Sequence, residues 1–350
     1  MVIQDTRRIV VIAPNWLGDA VMSLSLIGML RRADRVRLAL MCPQYTARIF
    51  YGIDGIDEII VFPAEGITRG LRMRSRTLCR LRLSAAIILP PSFSSALAPF
   101  LARVPYRIAY PADGRRFLLN KPADAARLRT EHLSQSYQHL GAKALACVGA
   151  EIPAPGGTPA LTVCAKEIES IERTLHAIGA PRRDFCLVVP GATYGSAKTW
   201  PREAFRETVR RISRSVPVIL AGGSAEQQAC GVIAAALHGV YDMSGKTTLG
   251  EFFALTQAAS VLIANDSGAA HVAGSVGTPA VVIFGSTSPR WTAPLGRQVS
   301  IVRRPTLCSP CFLKECSTEL ECFAGIRPED VAGEALRLAK KGVDILPAEG

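Results

Sequence analysis

Three short stretches of this 350-residue chain hold the residues best suited to chemistry. The first is Asn15-Trp16-Leu17-Gly18-Asp19-Ala20-Val21, directly after the apolar run 9–13. Gly18 permits a tight turn, and Asp19 falls in the first turn of the helix that follows, where the helix dipole favours the ionised carboxylate. Two readings stand: an ordinary helix-start aspartate, or a carboxylate held at a strand end as a general base. The second stretch runs from Pro190-Gly191-Ala192-Thr193 to Lys198-Thr199-Trp200-Pro201. Its small residues let backbone approach a ligand, Thr193 and Ser196 offer hydroxyls, and Lys198 offers a point charge for a diphosphate. Taken alone it reads equally well as a flexible loop, with Pro201 at the first position of the next helix.

The third stretch is Asn265-Asp266-Ser267-Gly268-Ala269-Ala270-His271, between the apolar run 261–264 and the small-residue segment 272–276. That order predicts a buried strand, a tight turn and a helix start capped by Asp266 or Ser267. Free N–H groups at such a start suit a phosphate. The plainer alternative makes Asp266 only a cap and His271 a structural helix residue. A fourth turn, Gly222-Gly223-Ser224-Ala225-Glu226, follows another apolar run, and Glu226 is placed to accept hydrogen bonds from a ribose.

The elements that must position these residues follow from periodicity. Apolar runs at 9–13, 36–41, 58–62, 85–89 and 106–109 alternate with helix-length segments, and the apolar positions Val21, Leu24, Ile27 and Leu30 predict one helix after Asp19. The Pro- and Gly-rich stretch 152–159 reads as a linker. The alternation then restarts with runs at 185–189, 216–221, 261–264 and 280–284. Strands alternating with helices imply parallel sheets covered on both faces. The expectation is an α/β protein of two doubly wound Rossmann-like domains, 1–160 and 161–350, facing across a cleft. The motifs would gather at the carboxyl ends of the strands.

Composition narrows the class. Hydrophobic content of 49% with 20% charged residues fits a packed protein. The apolar run after Arg7 and Arg8 is too short for a signal peptide. Residues 83–102 carry no charge, but Pro90-Pro91 and the serines at 92, 94 and 95 divide them into a strand, a turn and a short helix rather than a membrane span. The formal charge of +12 is concentrated early: residues 1–130 hold 20 Lys and Arg against 9 Asp and Glu, the remainder 21 against 20. Arg69, Arg72, Arg76 and Arg80 are spaced for one helix face. That face is either simply solvated or a surface for phosphate-bearing partners such as anionic lipid or phosphorylated glycolipid. With 6% aromatic residues and no nucleic-acid motif, no nucleic-acid partner is expected.

Six of the ten cysteines are scattered and read as small buried hydrophobes of a reducing cytosol. The other four, Cys308, Cys311, Cys316 and Cys322, fall in one 15-residue stretch. A structural zinc or similar metal clip, a disulfide and free thiols all remain open for them.

In order and spacing, the Asn15–Val21 stretch, Pro190 through Pro201, and Asn265 to His271 resemble the ADP-heptose:lipopolysaccharide heptosyltransferases, glycosyltransferase family 9, and within that family the heptosyltransferase II branch. The resemblance covers about residues 8–300. It implies the two-Rossmann-domain GT-B glycosyltransferase fold and inverting transfer of heptose from ADP-heptose to the lipopolysaccharide inner core. It implies Asp19 as catalytic base and Thr193, Lys198, Glu226, Asp266, Ser267, Gly268 and His271 around ADP-heptose. Ser267 stands where some relatives have Thr, which keeps the hydroxyl, and Thr247 matches a position near the adenine. On this reading the enzyme is cytoplasmic, touches the anionic inner face of the membrane, and requires no cofactor for catalysis. Rival readings are the same fold using another nucleotide sugar or adding another core heptose. From a different class, there is a non-catalytic, metal-clipped binding protein in which 308–322 is the essential site.

Overall fold

The computed structural model describes residues 6–63, 67–154 and 156–343, and the side chains of 67–69 and 341–343 lie outside that description. The chain divides into two units, Met1–Thr162 and Val163–Gly350. In the first, β1 (Arg7–Ile12) leads into α1 (Leu17–Met22) and α2 (Leu24–Leu30). Then follow β2 (Val36–Pro43), β3 (Glu58–Phe62), α3 (Ile67–Arg80), β4 (Ala85–Ile88), α4 (Phe93–Leu101), β5 (Tyr106–Ile108) and α5 (Leu133–Cys147). All five strands are parallel, in the order β3-β2-β1-β4-β5. Ile9, Val10 and Val11 are wholly buried because helices cover both faces, which is why this central strand reads as an unbroken apolar run.

The single helix expected after Asp19 is two. Ser23 separates them, and its Oγ donates to the carbonyl of Ala20 at 2.7 Å, a local bond that competes with the helical ladder. Residues 83–102 form β4, a turn and α4, as the prolines dictate, and no helix among the described residues is long and apolar enough to cross a membrane. At the start of the 152–159 stretch Arg32 Nη2 donates to the carbonyl of Ala154 at 2.9 Å, and just beyond it Thr162 Oγ1 donates to the Gly52 carbonyl at 3.0 Å.

The second unit runs α6 (Ala165–Ala177), β6 (Cys186–Val189), α7 (Arg202–Ile212), β7 (Val218–Leu220), α8 (Gln227–Ala234), β8 (Val240–Asp242) and α9 (Leu249–Ala258). It continues with β9 (Val261–Asn265), α10 (Gly268–Val276), β10 (Ala280–Phe284), α11 (Pro289–Thr292), β11 (Val299–Arg303), α12 (Glu321–Ala324) and α13 (Pro328–Val343). Its six parallel strands are ordered β11-β10-β9-β6-β7-β8. Two clusters of buried side chains sandwich this sheet, one around Trp200, Phe205 and Phe323 and one around Phe185, Leu255 and Phe284. The edge strands β8 and β11 carry no apolar run because they are short or half solvated, with Asp242 in one and Ser300 and Arg303 in the other. Pro201 stands at the N-cap of α7, one position before the expected one.

Candidate active site

Each sheet has one crevice where the strand order reverses, and ligands of doubly wound sheets bind at the carboxyl ends beside such a point. In the first unit it lies between β1 and β4, so the turns at residues 13–16 and 89–92 flank it. Asp19 is half-buried in the first turn of α1. Close by is Tyr137 of α5, 4% exposed, whose phenol is pushed up first by burial and further by the negative charge of Asp19. On the β4 side the turn is fixed by Arg115, which is 1% exposed. Its guanidinium donates to the carbonyls of Pro90, Ser92 and Tyr110 and to Ser95 Oγ. Burial brings its pKa down to about 10, with Asp113 opposing the shift.

In the second unit the reversal lies between β6 and β9. The loop after β6 carries Lys198 and the turn after β9 carries Asp266, so the topology brings two distant motifs to one crevice. Asn265, wholly buried, staples them: its Nδ2 donates to the Pro190 carbonyl at 2.7 Å and its Oδ1 accepts from the Trp200 N–H at 3.0 Å. Lys198 Nζ then reaches Asp266 Oδ2 at 2.7 Å and the Asp266 carbonyl at 3.4 Å. Asp266 is 3% exposed and also accepts from Thr287 Oγ1 at 2.6 Å and Thr292 Oγ1 at 3.3 Å.

Asp266 therefore does not cap α10, and Ser267, which does occupy the N-cap position, makes no side-chain cap bond. The hydroxyls of Ser267 and Ser286 are buried and meet no hydrogen-bond partner among the described residues. Glycines admit the next residue: Gly191 after β6 and Gly222 after β7 leave the space that the Glu226 side chain fills, and a Cβ at either would collide with it. Gly268 opens α10, and His271 is buried within its first turn, 4% exposed. Thr193 is exposed in the loop, and Thr247 precedes the α9 N-cap, Thr248. No hydrogen bond or ion pair among the described residues joins Thr247 or Thr193 to the Lys198–Asp266 pair.

Sequence reasoning passed over Thr287, Thr292, Ser286 and Arg115. The first three follow β10, whose apolar run and Ser-Thr-Ser-Pro ending were available as another strand-to-helix turn, but only pairing of β10 with β9 puts Thr287 and Thr292 at Asp266. Nothing in the sequence marks Arg115.

All ten cysteines are free, so the disulfide reading falls. The scattered six are not uniformly buried: Cys42, Cys186 and Cys230 are, while Cys79 and Cys164 are exposed. Burial pushes the three inner thiols up to about 12. In the cysteine-rich segment, hydrogen bonds from Thr318 and Leu320 hold the Cys316 thiol below its ordinary value. Burial raises that of Cys322, and the neighbouring Cys316, Cys308 and Cys311 add to the rise. Among the described residues no three Cys, His, Asp or Glu side chains are arranged to hold a metal.

Residues 72–321 match the model of glycosyltransferase family 9 (heptosyltransferase). Lipopolysaccharide heptosyltransferase 2 of Salmonella typhimurium is 30% identical over 313 residues, covering 85% of this chain and 88% of that protein. The Escherichia coli protein of that name matches equally, at 30% over the same shares. Among solved structures, the E. coli ADP-heptose lps heptosyltransferase II superposes with a TM-score of 0.79 at 26% identity, covering 95% of this chain and 99% of that one. A family 9 glycosyl transferase from Veillonella parvula, at 20% identity and a TM-score of 0.82, shares the fold. The expected fold, two doubly wound parallel sheets of the GT-B kind, is the one observed. A buried Lys–Asp pair at the start of a helix, two orphaned hydroxyls beside it, and the match over most of the chain agree: this protein is a glycosyltransferase of family 9, the heptosyltransferases.

Proposed function

We propose that this chain is a heptosyltransferase II-like enzyme, moving heptose with inversion from ADP-heptose to the inner core of lipopolysaccharide. The observation that supports it most is the Lys198–Asp266 pair beside the N-terminus of α10, with Thr287 and Thr292 holding the carboxylate. A helix start with an adjacent fixed cation suits a diphosphate. Asp19 takes the proton of the acceptor hydroxyl, the oxygen attacks the anomeric carbon opposite the nucleotide, and the bond to the diphosphate breaks with its electron pair leaving on ADP. Lys198 and the N–H groups at Ser267 and Gly268 stabilise the charge growing there. Thr193, Glu226, Thr247 and His271 complete the donor site in this reading, Glu226 at the ribose and Thr247 near the adenine. Catalysis runs without a metal. Calorimetry with ADP-, UDP- and GDP-sugars tests the donor: ADP-heptose should bind, and tighter binding of a UDP- or GDP-sugar would replace it with the same fold serving another nucleotide.

The acceptor side belongs with the basic first unit, in a cytoplasmic enzyme resting on the anionic inner face of the membrane. Arg72, Arg76 and Arg80 are exposed one turn apart on α3, which supports this, and Arg69 lies outside the described side chains. Each basic residue near such a surface contributes about 1 kcal/mol. Arg76→Glu with Arg80→Glu should therefore release the protein from anionic vesicles at low salt, with a difference that shrinks as salt rises. Donor affinity should stay unchanged. Equal vesicle binding by both proteins at low salt would leave α3 merely solvated.

A structural zinc on Cys308, Cys311, Cys316 and Cys322 belongs to the same reading, supported by their grouping in one 15-residue stretch. The observed arrangement does not itself form a metal cage, so the segment would have to close round the ion. Elemental analysis of purified protein should find about one zinc per chain, lost when Cys308 and Cys311 become Ser. Stoichiometry near zero removes the clip.

A further inference from the structure

The cysteine-rich segment is built into the donor crevice. The Lys314 carbonyl accepts the Ala197 N–H at 3.0 Å, and the Phe312 carbonyl accepts from Tyr194 Oη at 3.0 Å. Phe312 N–H returns a bond to the Ser286 carbonyl at 2.8 Å, and its ring meets that of Trp291 edge-on at 5.5 Å. A side chain at Gly195 would run into the Lys314 carbonyl, so the two backbones approach as closely as glycine allows. Residues 312–314 thus bridge the loop after β6 and the turn after β10.

This places a second ammonium group in the crevice. Tyr194 is close to two cations: Lys198 Nζ is 5.2 Å from its ring centroid and Lys314 Nζ 5.9 Å. The two differ in what balances them. Lys198 is already neutralised by Asp266 at 2.7 Å, in a buried pair. Lys314 is exposed, and no carboxylate among the described residues lies within ion-pair distance of it. A diphosphate diester brings a negative charge on each phosphoryl group, which the neutral Lys198–Asp266 pair does not offset. Ser286, 2% exposed with an unpartnered hydroxyl, marks the same crevice as incomplete without a polar ligand.

We propose that Lys314 is a second cation for the diphosphate of the sugar nucleotide, presented by the cysteine-rich segment. This rests on the donor reading above. Lys198, held by Asp266, is the fixed donor at the helix start. Lys314 is an exposed charge, not held by a carboxylate, that swings from beside the Tyr194 ring to the phosphoryl oxygens. The segment's main-chain bonds to residues 194–197 set where that charge can go.

The test is ADP affinity of wild type, Lys314→Ala and Lys314→Arg by calorimetry at low and high salt, with adenosine as a phosphate-free control. The hydrogen bonds at position 314 are main-chain, so Lys314→Ala keeps them, and melting temperatures confirm that the fold is unchanged. Lys314→Ala should weaken ADP by about three- to tenfold at low salt, between the worth of an exposed ion pair and of a charge-assisted hydrogen bond. The gap should narrow at high salt, Lys314→Arg should restore binding, and adenosine should bind all three proteins alike. If wild type binds ADP and Lys314→Ala binds it as tightly, Lys314 has no such role and the donor reading stands. If wild type does not bind ADP, both fall together.

Discussion

Asp19→Asn should lower kcat for heptosyl transfer by about 10²–10⁴, the usual worth of general-base assistance, while ADP-heptose binds with nearly wild-type affinity. The amide keeps the size and the hydrogen-bonding reach of the carboxylate but cannot accept the acceptor's proton. Asp19 sits in the first turn of α1, half-buried, beside the buried phenol of Tyr137, which burial holds in its protonated form. Its loss should therefore cost little stability, and a melting curve separates chemistry from folding. Single-turnover rates with pre-bound donor are the decisive measurement. A variant that keeps more than about a third of wild-type turnover would remove Asp19 from the proton transfer, whatever its position.

The second large effect concerns stability and binding together. Lys198→Ala leaves the Asp266 carboxylate 3% exposed with two threonine hydroxyls but no counterion. Breaking a buried pair from one side typically costs about 3–5 kcal/mol, because the surviving charge is uncompensated. The second unit should melt on the order of 10 °C lower. ADP affinity should drop by about one to two decades as well, the worth of a charge-assisted phosphate contact. The double substitution Lys198→Met with Asp266→Asn removes both charges, so it should recover most of the stability while ADP binding stays weak. That divergence distinguishes a cation that serves the ligand from one that merely neutralises Asp266. If the double variant recovered ADP binding along with stability, Lys198 would be structural only.

What the sequence by itself determined is considerable where a feature is local. Parallel strands buried on both faces must be continuous apolar runs, so β1, β2, β4, β6, β9 and β10 were legible within a residue or two at most ends. The turns bearing Asp19, Lys198 and Asp266 were legible because a strand end followed by small residues and a helix has a compositional signature. A strand half open to water needs no such run: the edge strands β3 and β5 kept one and were legible, whereas β8 and β11 did not and were missed.

The tertiary structure alone decided who meets whom. Strand order makes β6 and β9 neighbours although 71 residues separate their ends, from Val189 to Val261, and that adjacency turns Lys198 and Asp266 into a pair. It also turned a predicted helix cap into a buried counterion, because Lys198 from the loop after β6 and Thr287 and Thr292 from the next crossover converge on the carboxylate. Arg115 fixes the turn after β4 through carbonyl groups, which have no residue signature, so no sequence pattern announces it. The cysteine spacing drew attention to 308–322 for its thiols. What the fold made of that segment is a main-chain brace on the donor loop, formed by Phe312 and Lys314, because hydrogen bonding between backbones depends on where the chain passes rather than on which side chains it carries.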